Sequence, residues 1–308
     1  MLAVVIPAYK GTFLRKSLQS LAFQTRKDFK VYIGDDNSPD DLESICSEYK
    51  TKLNIHFTKF EFNIGAKKLV TQWKRCISLS KDEEWLWLFS DDDIADENCV
   101  EVFYKTIEQD KSGYDVYRFN TNIINDKDVV ISVTPESPFI DTSENMALEI
   151  LLGKRGNSMP DHIFSRHIYN KCGGFVETDF AQAADWATSI LFSKEKGICT
   201  MQNAKVNWRM GNYNISGNAS KNRSEKLIGY LQFLQWVLNH FMYLESQENS
   251  EYQKIKRATV FSLLSVIKHH YKGLDFRSFF NIYRFFLNIH NPILAIISTI
   301  RLFWLAKI

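Results

Sequence analysis

Apolar residues along the first hundred positions alternate between short runs and helical spacing. Leu2–Ile6 is a β-type run, and Leu14, Leu18 and Leu21 follow it at helical intervals. The alternation repeats, predicting strands at Lys30–Ile33, Leu53–Phe60 and Trp85–Phe89, and helices near Asp41–Tyr49 and through Leu69, Trp73 and Ile77. Strands and helices exchanged at this length predict an α/β fold, a mainly parallel sheet with helices on both faces. Residues 114–134 break the pattern, because YDVYRFNTNII and VVISVT read as a hairpin around Asn125 and Asp126, which makes the sheet mixed. A helix near Thr142–Leu152, a glycine-containing loop to Gly174, a helix over Ala183–Ser193 and a last strand at Ala204–Arg209 follow. From Ser224 onward the spacing is almost entirely helical and rich in Phe and Tyr, and the Gly, Asn and Ser of 212–224 read as a linker.

Composition narrows the class. A chain of 308 residues with 45% hydrophobic and 24% charged positions suits one large globular domain or a domain with an appendage, and excludes a hormone, a fibre or a disordered tail. The formal net charge of +2 conceals an asymmetry: residues 1–251 carry −6 and residues 252–308 carry +8. A basic end of that size points to an anionic partner, nucleic acid or a membrane surface. Five scattered cysteines with no C-x-x-C suit a reduced, cytoplasmic chain, and the N-terminus lacks the features of a signal peptide. The longest apolar stretch, Pro292–Ile308, is interrupted by Arg301 and is too short to be predicted as a membrane span.

Polar motifs lie at the carboxyl ends of three predicted strands: Pro7-Ala8-Tyr9, Asp35-Asp36-Asn37-Ser38 and Asp91-Asp92-Asp93. In open α/β sheets that edge is where ligands bind, so the three motifs are expected to meet in one crevice. Three carboxylates after an apolar strand repel one another unless something neutralises them. A hard divalent cation, Mn²⁺ or Mg²⁺, would do so while taking its other oxygens from a diphosphate and water. The alternative is a solvated acidic turn capping the helix near Asp96–Gln109. No G-x-G-x-x-G follows the first strand and no P-loop occurs, which removes the dinucleotide and P-loop readings.

The segments VVIPAYKGTFLRKSLQSLAFQT, VYIGDDNSPDD, FNIGAKK, FSDDDIAD, GGF (173–175), AADW (183–186) and WRMGNYNIS (from 208) occur in the order and spacing of glycosyltransferase family 2. The chain resembles that family over about residues 1–217. The resemblance implies a GT-A fold over residues 1–217, followed by a helical region over 218–308, and inverting transfer of a sugar from a nucleotide-sugar, taken as a UDP-sugar, to a glycan or lipid-linked acceptor. It also implies roles. Pro7, Tyr9, Asp35 and Asp36 would contact the nucleotide, with Asp35 on the base, and Asn63 and Gly65 would form a donor-side loop. Asp91 would face the ribose or phosphates, Asp92 would be the first metal ligand and Asp93 would share or support it. Arg209 would meet the diphosphate, and Gly173, Gly174, Phe175 and Trp186 would lie on the acceptor side. Asp185 would be the general base that takes the acceptor hydroxyl proton. As plain structure, Tyr9 and Trp186 read as core, Asp35 as an Asx-turn, Asn63 and Gly65 as a turn, and Asp185 as a helix N-terminal charge.

Three positions depart from the family pattern. Ser90 stands at the first motif Asp, Ala184 replaces the Glu before Asp185, and Met210-Gly211 follows Arg209 where relatives often have a His. His162 and His167 are expected at the surface or on the acceptor side. The changes keep open a competing class, a nucleotide-sugar-binding or assembly protein without catalysis. The sequons at Asn214, Asn218 and Asn222 read as a hydrophilic loop. In the tail, 11 aromatics lie among the nine basic residues of 252–308. They cluster with aliphatics as in interfacial helices, so a membrane surface is the expected partner, with a packed or oligomerising appendage as the alternative and no nucleic acid. The expected location is the cytoplasmic face of the membrane.

Overall fold

The protein is described by a computed structural model covering residues 1–211, 223–247, 250–270 and 275–305. Residues 212–222 of the expected linker, the three sequon asparagines and the 217/218 boundary therefore fall outside the described residues, while Arg223 and Ser224, expected in the linker, already belong to a helix.

The chain runs β1 (Leu2–Ala8), α1 (Gly11–Ala22), β2 (Phe29–Asp35), α2 (Leu42–Ser47), β3 (Ile55–Lys59), α3 (Leu69–Ile77), β4 (Trp85–Leu88), β5 (Ile94–Ala95) and α4 (Cys99–Gln109). It continues with β6 (Val116–Ile124), β7 (Val130–Val133), β8 (Ile140–Asp141), α5 (Ser143–Leu151), β9 (His162–Ser165), α6 (Arg166–Lys171), α7 (Ala184–Phe192) and β10 (Ile198–Arg209). Four helices follow: α8 (Arg223–His240), α9 (Ser250–His270), α10 (Phe276–Leu287) and α11 (Pro292–Leu305). The strands lie in the order β3-β2-β1-β4-β9-β6-β10-β5, with β7 on β6 and β8 on β10. The pairs among β1 to β4 are parallel, as is β6 with β10, while β9 runs antiparallel to both β4 and β6. The mixed, mainly parallel α/β sheet expected of the sequence is the one observed, including the hairpin of β6 and β7.

Two corrections concern the middle of the chain. The loop expected before Gly174 contains β9 and α6, whose four- and six-residue lengths are too short to show periodicity. The last strand begins at Ile198 rather than Ala204, because a bulge between Met201 and Lys205 interrupts its alternation.

Alternate residues of β1 feed two cores. Leu2, Val4 and Ile6 pack with α1, α2 and α4 on one face, while Ala3 and Val5 face α3, α5, α7 and the C-terminal helices on the other. The C-terminal helices belong to that second core: Tyr252, Ile255, Leu263, Ile267, Ile282, Phe285 and Phe286 are all buried in it. Each such side chain contributes about 1.5–3 kcal/mol of burial. This burial fits the packed-appendage alternative for the tail. A second face of the tail stays open, with Phe276 at 74%, Ile293 at 70% and Trp304 at 69% exposure.

Candidate active site

The strand order reverses at β1, whose neighbours are β2 on one side and β4 on the other. Beyond the carboxyl ends of β1 and β4 lies a cavity of about 410 Å³, lined by Pro7, Tyr9, Lys10, Asp36, Asn63, Gly65, Asp91, Asp92, Asp93 and Asp185 among others. Motifs more than eighty residues apart thus meet where the sequence placed them.

Main-chain amides hold most of its carboxylates. Asp91 Oδ2 accepts from the Tyr9 amide at 2.9 Å and the Lys10 amide at 3.2 Å, and Asp40 Oδ2 accepts from the Gly11 amide at 2.8 Å. Helix α1 has no side-chain cap of its own, so these two acids from distant loops satisfy its first donors. Asp36 Oδ1 and Oδ2 accept from the amides of Ile64 and Gly65 at 2.9 and 2.8 Å, and Arg75 reaches the same carboxylate at 2.5 Å. The Asn63–Gly65 loop is therefore tied to the end of β2. A Cβ on Gly65 would lie 2.5 Å from Asp36 Oδ2, so the tie requires glycine there.

Asp35, 1% exposed, does not line the cavity. Its Oδ1 accepts from the Ser38 amide at 2.7 Å, and its Oδ2 lies 3.9 Å from Lys59 Nζ. Asp93 touches the cavity floor, but its Oδ1 accepts from the Arg209 amide at 2.7 Å. Arg209 itself is 0% exposed. Its guanidinium donates to the carbonyls of Asp92 and Asn125, pairs with Asp128 at 2.6 Å, and covers the Phe13 ring. In this arrangement it fastens the end of β10 beneath the aspartates and does not line the cavity.

Asp91 and Asp92 are the half-buried pair left facing the cavity. Burial, reinforced by the neighbouring charge of Asp92, pushes the Asp91 carboxyl up to about 7, and burial also raises Asp92. Asp92 Oδ1 takes the Ser90 hydroxyl and Asp91 Oδ2 takes two amides, so one oxygen of each lacks a described hydrogen bond. No group of three or more His, Cys, Asp or Glu side chains poised to hold a metal occurs among the described residues. One or two carboxylates completed by phosphate oxygens and water is nevertheless what a hard divalent ion takes, and the clustered negative charge suits one.

Asp185 occupies the first turn of α7. Burial is the main cause that lifts its carboxyl to about 7. It lines both the cavity that holds the aspartates and a second chamber of about 510 Å³. That chamber is walled by Asn157, Ser158, Asp161, Trp186 and Trp208, and by Lys226, Tyr230 and Val266 from α8 and α9. Trp186 is fixed there by its indole N–H, which donates to the Asn157 carbonyl at 2.9 Å. The backbone just before α7 is left-handed at Phe180, Ala181 and Ala183, with φ near 55, 53 and 55°. Side chains rarely adopt that conformation, and each such residue costs on the order of 1–3 kcal/mol.

Gly173 and Gly174 lie elsewhere. With φ of +74 and +93° they end α6, where the Gly174 amide donates to the Tyr169 carbonyl at 2.8 Å. Phe175 packs in an aromatic core with Trp73, Phe164, Tyr169 and Phe192, and none of the three lines either chamber. His162 is buried on β9 beside Asp161 at 2.6 Å, not at the surface. The wall residues Asn157, Ser158 and Asp161 had no sequence signal, since they sit in a stretch without periodicity. Trp208 stands inside the WRMG segment and was within reach of sequence reading.

The model of the family Glycosyl transferase family 2 matches residues 3–171, more than half of the chain. Among curated proteins, glycosyltransferase GlyG of Streptococcus pneumoniae serotype 4 is 27% identical over 111 residues, which span 35% of this chain and only 36% of that protein. Among solved structures, residues 1–349 of S. aureus TarS in complex with UDP-GlcNAc superpose with a TM-score of 0.71 at 16% identity, covering 98% of this chain and 89% of that one. A longer S. aureus TarS structure gives 0.69 at 16% identity, covering 98% of this chain and 54% of that one.

Proposed function

This chain belongs to glycosyltransferase family 2, and on that premise we propose that it moves a sugar from a nucleoside-diphosphate donor to a hydroxyl of a glycan or lipid-linked acceptor, with inversion. The observation that carries the reading is the position of Asp185, in the wall shared by the cavity that holds Asp91 and Asp92 and by the second chamber. An acceptor hydroxyl entering from the second chamber meets a carboxylate on the way to a donor anchored in the first.

The nucleotide lies along Pro7 and Tyr9 beneath the Asn63–Gly65 loop that Asp36 fastens. UDP is the proposed nucleotide, supported by the UDP-GlcNAc complex of a protein sharing the fold. Asp35 is the proposed partner of the base through Oδ2. Its burial means that the Asp36–Ser38 turn must shift to admit the base edge. Asp91 holds the amides of Tyr9 and Lys10 in place below the sugar diphosphate. Asp92 is the proposed ligand for Mn²⁺ or Mg²⁺, while Asp93 and Arg209 act from beneath by fixing the loop. A divalent cation bound there supplies charge stabilisation to the departing diphosphate. Asp185, ionised above its raised pKa, accepts the hydroxyl proton as the acceptor oxygen bonds to the anomeric carbon and the diphosphate leaves from the opposite face. Trp186 and Trp208 offer ring surfaces to the acceptor sugar.

Residues 1–217 are the proposed catalytic unit and 218–308 the proposed accessory region. Its exposed stripe of Ile293, Leu294, Ile297, Ile300 and Trp304 on α11, beside Arg301 and the basic charge of 252–308, fits a peripheral contact with an anionic membrane surface at the cytoplasmic side. No helix among the described residues is long and apolar enough to cross a membrane. Loss of vesicle flotation in Ile297→Ser/Trp304→Ser supports that contact, and unchanged flotation refutes it.

The transfer reading is tested by donor turnover with an acceptor panel, with Mn²⁺ and with chelator, following the anomeric configuration of the product by NMR. An inverted product that disappears with chelator is expected. Full activity in chelator overturns the metal assignment, and nucleotide-sugar binding without any turnover favours the non-catalytic class.

A further inference from the structure

The acceptor chamber does not end at Trp186. Leu69, Phe180 and Ala181 line it and also line a groove of about 750 Å³ between α8, α10 and the segment before α7. The transfer chemistry above makes no use of this groove, whose volume falls within the range of roughly 300–1,000 Å³ typical of ligand sites.

Its walls join apolar side chains to a set of amides on two helices. Helix α8 turns Gln232, Gln235 and Asn239 into it, and α10 answers with Asn281, Arg284 and Asn288, each set spaced by three and then four residues on one helix face. Apolar side chains are expected where two helices converge. Here five carboxamides and Arg284 stand among the apolar side chains, and each amide both donates and accepts. The amides are held in orientation: Asn288 Nδ2 donates to Gln235 Oε1 at 2.5 Å, Gln235 Nε2 to Asn239 Oδ1 at 3.0 Å, and Gln232 Nε2 to Asp179 Oδ2 at 3.0 Å. Trp236 adds ring surface between them. Lys67, Lys68 and Arg284 face Glu177 and Asp179 across the lining, and Glu177 is already paired with Lys74 at 2.7 Å, so the groove carries a small positive excess. At Gly229 a Cβ would collide with the Asp179 carbonyl, and glycine there lets α8 close against the segment that separates groove from chamber.

Oriented carboxamides with a ring face are suited to a chain of hydroxyls and C–H surfaces. We propose that the groove holds the distal residues of an extended acceptor glycan whose terminal sugar sits in the chamber beside Asp185. The proposal rests on the transferase reading, because continuity with that chamber is what identifies the occupant.

The test is direct binding to an array of defined oligosaccharides, hexose and N-acetylhexosamine chains of two to eight units, by the full chain and by Asn281→Ala/Arg284→Ala. The wild type is expected to bind chains of four or more units about tenfold more tightly than the matching disaccharide. The variant is expected to lose that gain, with disaccharide binding, thermal unfolding and nucleotide-sugar binding unchanged. Absence of a length gain in the wild type, its persistence in the variant, or no binding to any member of the array overturns the proposal. Nucleotide-sugar turnover, measured on the same preparations, reports separately on the transferase reading: its absence removes that reading even if the glycan gain appears.

Discussion

The two chambers that share Asp185 are built on opposite plans. On the donor side, Asp36, Asp91 and Asp93 each accept a main-chain amide from another segment of the chain, so the protein supplies the partners of its own acids. In the second chamber, the proposed acceptor side, Asn157 Oδ1 is buried without a hydrogen-bond partner, as is Ser158 Oγ in the wall between the two chambers. A buried polar atom left unpaired costs about 1–3 kcal/mol. The aspartates are thus largely held by the protein, with one oxygen each of Asp91 and Asp92 left without a described hydrogen bond, whereas the second chamber has buried polar atoms with no protein partner. The difference teaches where to look for selectivity: tied acids at the proposed nucleotide site, where only the Asp36–Ser38 turn has to shift, and unpaired polar atoms beside the proposed acceptor.

Substitutions on the two sides should separate accordingly. Gly65→Ala pushes a methyl group into Asp36 Oδ2 and loosens the loop over the nucleotide. We expect the donor KM to rise about tenfold with the acceptor KM unchanged, measured by initial rates at varied donor. Equal changes in both constants would erase the distinction. Ser158→Ala acts in the wall that the two chambers share, and more gently. It removes a hydroxyl that has no partner, so thermal stability should hold or rise slightly, while the acceptor KM rises about threefold. A clear loss of stability would mean that the hydroxyl is already satisfied within the protein.

The same contrast explains what could be read from the sequence. The donor side was legible because each acid follows an apolar strand, and parallel topology sends those strand ends to one edge. Arg209 was expected to meet the diphosphate. Its burial was not, since that depends on Phe13 and Asp128 from distant segments. Gly173, Gly174 and Phe175 stood in a family motif, yet in the structure they cap α6 and fill a core. The acceptor chamber was largely illegible. Asn157, Ser158 and Asp161 lie in an irregular stretch, and Tyr230 and Val266 come from helices whose spacing announced only burial. The tail showed why one signal can hold two outcomes: its aromatic residues divide between a buried face and an exposed one, and composition alone does not assign them.

The central claim is that Asp185 is the base at the meeting of the two chambers. The most direct test is the pH dependence of kcat/KM for the wild type and for Asp185→Asn. Burial raises the carboxyl from 3.8 to about 7, so the active ionised form is gained as pH rises through that value. The wild type should therefore lose activity about tenfold per unit below pH about 7 and level off above it. Asp185→Asn should transfer about 10²–10⁴-fold more slowly, bind nucleotide as before, and show no such limb. The same acid limb in both proteins, or near-native transfer by Asp185→Asn, would contradict the assignment.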